Sequence, residues 1–258
     1  MMWRRARAAG CALAFAVVLG GCGDGNPEVE VTDRSDPEPG GDAERTDAVY
    51  DCFGITTTIA GLEEAPLVSD LADHPGAAAF AANTDSLERW RAVRVEDERL
   101  EAVRELDPPE TLDGALRDHE RLAVALVGAA ALPDSDEDRW EMVSAGACVL
   151  QADLGELGPA SVTLDGPARL DDADSQLELL VVEQACASGE DAAGRVRVDV
   201  TTTDDEIRLV VGVEPRGGDQ NCPSNPPTPI TVDLDEPIAG RRLVDAGRYP
   251  PIEITPGP

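Results

Sequence analysis

The sequence contains no lysine: all 21 of its basic residues are arginine, against 52 acidic residues. The formal net charge is −31. A surface this negative repels phosphate backbones and anionic lipid headgroups, which excludes nucleic-acid binding and charge-driven membrane adhesion. Such a surface keeps a protein soluble in salty surroundings or attracts cations and basic partners, and we expect solubility to be its main role.

Aromatic residues make up only 3% of the chain, histidine occurs twice, and no GxSxG, HExxH, Walker or dinucleotide-binding motif is present. His119 lies between Asp118 and Glu120, where we expect a surface or boundary residue that hydrogen-bonds a neighbouring carboxylate rather than a catalytic base. His74 precedes Pro75 and is expected to be a loop residue. Acids are so abundant that no carboxylate pair can be singled out as a glycosidase-like acid and base. The sequence therefore favours a protein that is not an enzyme and needs no cofactor.

Two clusters of acidic residues are candidate metal sites. Asp134, Asp136 and Asp138 have the spacing of the first three EF-hand ligands, but Arg139 stands where that loop needs glycine and Ala145 where it needs glutamate. We instead expect these acids at the start of a helix, whose positive end they would stabilise. The second cluster is expected to be a solvated turn: Asp171, Asp172 and Asp174. No metal site is predicted.

Long apolar runs are also missing, apart from a short one near the start, Ala12 to Leu19. This run is too short for the roughly 20 residues that span a bilayer. It follows three basic residues, Arg4, Arg5 and Arg7. A basic start followed by a short apolar run is typical of an export signal.

Leu19, Gly20, Gly21 and Cys22 close this run and resemble the lipobox of bacterial prolipoproteins, in which small residues separate a leucine from a cysteine. The resemblance covers residues 1–22. It implies that residues 1–21 are removed as a signal peptide, that the Cys22 thiol becomes a diacylglyceryl thioether, and that the new amino group can be acylated. Two or three acyl chains anchor a protein firmly, since each buried CH₂ contributes about 0.8 kcal/mol. The alternative is an ordinary secretory signal with Cys22 near the cut by chance.

Four cysteines remain after removal of Cys11 with the signal and lipidation of Cys22. An even number in an exported chain predicts disulfides. Three connectivities are possible, and we favour pairing within each half of the chain, Cys52 with Cys148 and Cys186 with Cys222. Zinc is the alternative, but no CxxC pair occurs and both histidines are far from any cysteine in sequence.

The mature chain is predicted to have four parts. Residues 22–48 are rich in acids and proline, with few large apolar residues, which predicts a disordered tether. Apolar residues then recur at steps of three and four, and Asp107 to Glu110 has the pattern of a capping box, so residues 49–158 are predicted to form an antiparallel helical bundle. Trp90 and Trp140 are expected in its core.

After Gly158 the apolar period changes to two. Residues 196–202 and 206–213 alternate cleanly around Asp204 and Asp205, which predicts a hairpin. Further strands are expected at 176–184, 230–234 and 241–244. The fold class is therefore α+β: a helical bundle, then an antiparallel β module over residues 159–248 and an extended tail over 249–258.

Two functions are compatible with this organisation. The first is a non-catalytic lipoprotein, held at the extracytoplasmic face of the cell membrane by the lipid on Cys22, whose modules bind an envelope protein or extracellular ligand. The second is an anchored hydrolase that uses carboxylates as acid and base. The scarcity of histidines, aromatics and catalytic motifs favours the first.

Overall fold

A computed structural model describes residues 30–33, 48–112, 115–131, 137–166 and 170–257. The described residues are mostly β-sheet, with 50% strand and 9% helix, and their strands form three sheets. The prediction of a helical bundle is therefore wrong, and the fold is not α+β. In the described residues no helix is long and apolar enough to cross a membrane.

The first sheet is an antiparallel meander of four strands in sequence order. Its strands are β4 (Arg91–Glu96), β5 (Arg99–Leu112), β6 (Ala115–Val127) and β7 (Arg139–Cys148). The pairing of β5 with β6 shifts register between Glu105 and Glu110. The predicted capping box therefore lies at an irregularity inside a strand and does not begin a helix.

Burial on both faces explains why this region resembles helices in sequence. Leu100, Ala102 and Val103 of β5 are all fully buried. Leu100 and Ala102 belong to one core cluster and Val103 belongs to another. A strand covered on both faces loses the alternation of apolar and polar residues that marks a half-exposed strand. The remaining apolar spacing of three and four then imitates a helix.

The second sheet has the strand order β15-β8-β2-β3 and is antiparallel. Its strands are β2 (Val49–Cys52), β3 (Ile55–Thr58), β8 (Leu150–Ala152) and β15 (Arg248–Tyr249). The helices among the described residues are short: α1 (Ile59–Glu64), α2 (Ala77–Ala81) and the 3-10 turns Val68–Leu71 and Ala129–Ala131. The side chain of Thr58 caps α1 by accepting from the Gly61 amide at 2.9 Å.

The third sheet is eight-stranded, with the order β1-β11-β12-β9-β10-β13; β14 pairs with β12 and β16. Its strands are β1 (Glu30–Asp33), β9 (Gly158–Leu164), β10 (Gln176–Glu183), β11 (Val196–Thr202), β12 (Glu206–Val213), β13 (Thr228–Asp233), β14 (Arg242–Asp245) and β16 (Ile252–Glu253). The predicted hairpin is confirmed as β11–β12, and the other three predicted strands are β10, β13 and β14. β1 lies within the predicted tether and pairs in parallel with β11.

Three apolar clusters hold the sheets. One fills the eight-stranded sheet and includes Leu177, Val198 and Leu209. The second joins the first two sheets around the disulfide Cys52–Cys148. The third contains Trp90 and Phe80, whose rings meet edge to face at 5.4 Å.

Candidate functional site

The turn between β2 and β3 places an aromatic side chain under backbone strain. Cys52 pairs with Ile55, which leaves Phe53 and Gly54 as a two-residue turn with φ of 50° and 89°. Two-residue hairpins of type I′ need positive φ at both positions and favour Asn-Gly. For phenylalanine this conformation costs about 1 to 2 kcal/mol. Phe53 is 57% exposed, so burial does not repay that cost.

Two arginines of β6 lie beside the exposed ring. The guanidinium carbons of Arg117 and Arg121 lie 5.6 and 5.7 Å from the centre of the Phe53 ring, within cation–π range. The two arginines are four residues apart on one strand and therefore share a face of the sheet.

Neither arginine pairs with an acidic side chain of the described residues. In the described part of the chain Arg117 and Arg121 form no ion pair, and their Nε atoms are buried without a hydrogen-bond partner. Most of the other described arginines do pair with Asp or Glu, as expected in so acidic a chain. Two unpaired cations beside a strained, exposed aromatic ring mark this surface as unusual for the molecule.

A cavity of about 360 Å³ opens beside Phe53, where the three sheets meet. Its wall carries Arg117 and two carboxylates, Asp51 and Asp153. These carboxylates are fixed by the backbone: Asp51 accepts from the Gly54 amide at 2.8 Å and Asp153 from the Gly155 amide at 2.9 Å. No described ion pair joins either of them to Arg117, so opposite charges share one cavity without neutralising each other.

The rest of this cavity wall is apolar or neutral and polar. Val149, Leu154 and Leu157 supply apolar surface, and Gln151 and Gln184 supply amides. The Gln151 amide nitrogen donates to the Gly247 carbonyl at 2.8 Å, which fixes its orientation. The cavity lies in the size range of small-ligand sites, about 300 to 1,000 Å³.

A second cavity of about 310 Å³ has His119 in its wall. Its other charged lining residues are Glu63, Arg89, Arg91, Arg104 and Glu105. Arg104 pairs with Glu120, whereas the contacts of Arg89 and Arg91 are with backbone carbonyls. No serine, threonine or cysteine is among the described residues that line this cavity, and Tyr249 is the one hydroxyl-bearing residue among them.

His119 is buried, at 4% exposed, and its Nδ1 is 2.8 Å from an Asp118 oxygen. Arg248 donates to the other Asp118 oxygen. Burial by itself would raise the pKa of Asp118, but the hydrogen bond with His119 and the charge of Arg248 hold that pKa below its usual value. Because the ionised carboxylate only accepts, His119 donates through Nδ1. The predicted carboxylate partner of His119 is thus present, in the interior rather than at the surface.

The other residues singled out in the sequence serve the fold. His74 accepts from the Gly76 amide through Nδ1 and contacts the Glu96 carbonyl at 2.9 Å through Nε2. Trp90 is 1% exposed and Trp140 packs against the same cluster, so both belong to the core of a β-sheet region, not of a bundle.

The described acids of the two clusters accept hydrogen bonds from backbone amides, and the helix predicted after Asp138 is instead the strand β7. Asp171 and Asp174 accept from backbone amides of their own turn, at 3.1 and 2.8 Å. Asp138 accepts from the Ala129 amide at 2.8 Å, while Asp134 and Asp136 lie outside the described residues. Among the described residues no group of three or more His, Cys, Asp or Glu side chains is placed to hold a metal ion.

The structure contains two disulfides, Cys52–Cys148 and Cys186–Cys222, the pairs favoured by the sequence. They indicate an oxidising environment outside the cytoplasm. The lipobox residues and Cys22 lie outside the described residues.

Sequence reasoning missed Phe53, Arg117 and both cavity carboxylates. One signal was available: Phe-Gly stands between two short runs with strand-forming residues, which is a hairpin pattern. Nothing in the sequence shows that β6 brings two arginines to that turn.

The described residues form a disulfide-bonded, mostly β structure with a cavity at the meeting of its sheets that is lined by both charged and apolar residues. No family model, no curated protein and no solved structure matches this chain.

Proposed function

We propose that this chain is a lipid-anchored, extracytoplasmic, non-catalytic protein that binds a ligand or partner at the cell envelope through the cavity beside Phe53. The observation that carries the proposal is the strained, 57% exposed phenylalanine beside two arginines that have no carboxylate partner among the described residues. Strained backbone that persists at a surface is typical of binding and switch sites. A fold selected for stability alone would place Asn or Gly at this position.

Two features support the proposed location of the protein. Leu19, Gly20, Gly21 and Cys22 resemble a lipobox, and the two disulfides fit an exported chain. We therefore place the protein at the extracytoplasmic face of the cell membrane, anchored through the lipid on Cys22.

Cys22→Ser is expected to move the protein from the membrane fraction to the soluble extracytoplasmic fraction, because the thioether cannot form. Fractionation and immunoblotting measure the shift, and Cys11→Ser is the control that leaves it in the membrane. Retention of the Cys22→Ser form in the membrane would show that lipid on Cys22 is not the anchor.

Phe53→Asn is expected to change the free energy of unfolding by less than about 1 kcal/mol while abolishing ligand capture. Relief of about 1 to 2 kcal/mol of backbone strain offsets the loss of two cation–π contacts of about 0.5 to 1 kcal/mol each. Phe53→Ala is the matched control: it loses the same contacts and keeps the strain, so it is expected to be less stable than Phe53→Asn. Equal destabilisation of both variants in urea unfolding would contradict the strain argument.

A hydrolase is the second candidate, and His119 favours it, because this residue lines the second cavity and is hydrogen-bonded to Asp118. An imidazole oriented by a carboxylate is the arrangement of a general base. Assays of the purified mature protein on peptidoglycan, glycan and ester substrates test this function. Hydrolysis that His119→Gln removes would support it and overturn the non-catalytic proposal.

A further inference from the structure

We infer that the cavity beside Phe53 binds a zwitterionic ligand with an apolar body, in the class of free α-amino acids and very short peptides. This inference rests on the proposed function and names its ligand class. It is argued from the charges, the apolar wall and the size of the cavity.

The charge pattern excludes simple ions. Arg117 favours an anionic group, whereas Asp51 and Asp153 in the same wall repel it. A simple cation is attracted by Asp51 and Asp153 but repelled by Arg117. A ligand with a carboxylate and an ammonium group satisfies both signs at once, and neither side of the cavity is neutralised within the described structure.

The net charge of the chain also favours a zwitterionic ligand over an anion. The chain carries −31 overall, so its long-range field opposes the approach of anions. A zwitterion has no net charge and is not repelled. It can then form short-range, charge-assisted hydrogen bonds, and the planar guanidinium of Arg117 is suited to bidentate contact with a carboxylate.

The apolar wall and the volume define the rest of the ligand. Leu154, Leu157 and Val149 offer surface for an aliphatic or aromatic side chain. A volume of about 360 Å³ is near the lower end for ligand sites and suits a molecule of one or two residues. Phe53 also lines the cavity, and its exposed ring offers further surface for the ammonium group or the side chain.

The test is calorimetric titration of the mature protein with the twenty free amino acids and with dileucine. For the best aliphatic binder, two analogues isolate its charges: for leucine these are 4-methylpentanoate, without the ammonium group, and 3-methylbutylamine, without the carboxylate. We expect the zwitterion to bind at least about tenfold tighter than either analogue, since each lost charge leaves a partner unpaired. Equal affinity for either analogue, or no binding of any zwitterion at millimolar concentration, overturns the inference.

A variant of Arg117 tests whether this side chain binds the carboxylate of the ligand. Arg117→Gln is expected to weaken zwitterion binding at least about tenfold while leaving amine binding unchanged or stronger, because it removes the only cation in the cavity wall among the described lining residues. A merely structural role of Arg117 would weaken both ligands equally. Arg242→Gln, at a distant and exposed position, is the control and leaves both affinities unchanged.

Failure of this inference can be told apart from failure of the proposed function. If a photoreactive residue in the cavity captures a ligand on cells but no zwitterion binds, the ligand class is wrong and the binding function stands. If capture and titration both fail, the proposed binding function fails as well.

Discussion

Replacement of Cys52 and Cys148 together by alanine is expected to lower the free energy of unfolding by about 4 to 5 kcal/mol. The two cysteines are 96 residues apart in sequence, so the bond restricts a long loop in the unfolded chain. Both are fully buried and lie in the cluster that joins the first two sheets. Urea unfolding of the double variant measures the loss.

The second disulfide is the control. Cys186 and Cys222 are 36 residues apart and exposed, so their removal is expected to cost less, about 4 kcal/mol or slightly below. Mild reductant followed by alkylation and peptide mass mapping should label Cys186 and Cys222 first. A smaller loss for the Cys52 and Cys148 variant than for this pair, or earlier labelling of the buried pair, would contradict the assignment.

Arg195→Met is expected to lower the free energy of unfolding by about 3 to 5 kcal/mol, because it leaves a buried carboxylate without its partner. The Glu183 side chain is 2% exposed and receives two hydrogen bonds from Arg195, at 3.1 and 2.5 Å. The hydrogen bond to Glu183 is also the main cause that raises the pKa of Arg195. Thermal and urea unfolding of the variant measure the loss.

The double variant Glu183→Leu with Arg195→Met separates two explanations. If the cost comes from an unpaired buried charge, removal of both partners recovers most of the stability. If the double variant is as unstable as Arg195→Met, the loss comes from the bonds that Arg195 donates to the Glu214 and Asp191 carbonyls.

The second half of the fold could be predicted from sequence because its strands have one buried face. In β11, Val196 and Val198 are buried while the intervening arginine is partly exposed, and this alternation is visible in the sequence. In β5 and β6 the core covers both faces, so Leu122, Ala123 and Val124 are buried in succession. Periodicity alone does not separate such strands from helices.

The candidate site depends on long-range pairing that no local pattern encodes. Phe53 and Arg117 are 64 positions apart and meet because the disulfide cluster packs the second sheet on the first. Asp153 reaches the cavity only because β8 pairs with β2. The disulfide pairing could be predicted from the sequence because the prediction depends on three simple features. These are the even number of cysteines, the export signal and the division of the cysteines between the two halves of the chain.

Photo-crosslinking from inside the cavity on intact cells tests the central claim most directly. A photoreactive amino acid replaces Thr56, which is exposed and lines the cavity, and in a matched control it replaces the exposed Thr201 of β11. The proposed function predicts a reproducible adduct from position 56, none from position 201, and loss of the adduct when Phe53→Asn is added. No adduct from position 56, or one that persists at full yield with Phe53→Asn, would contradict it.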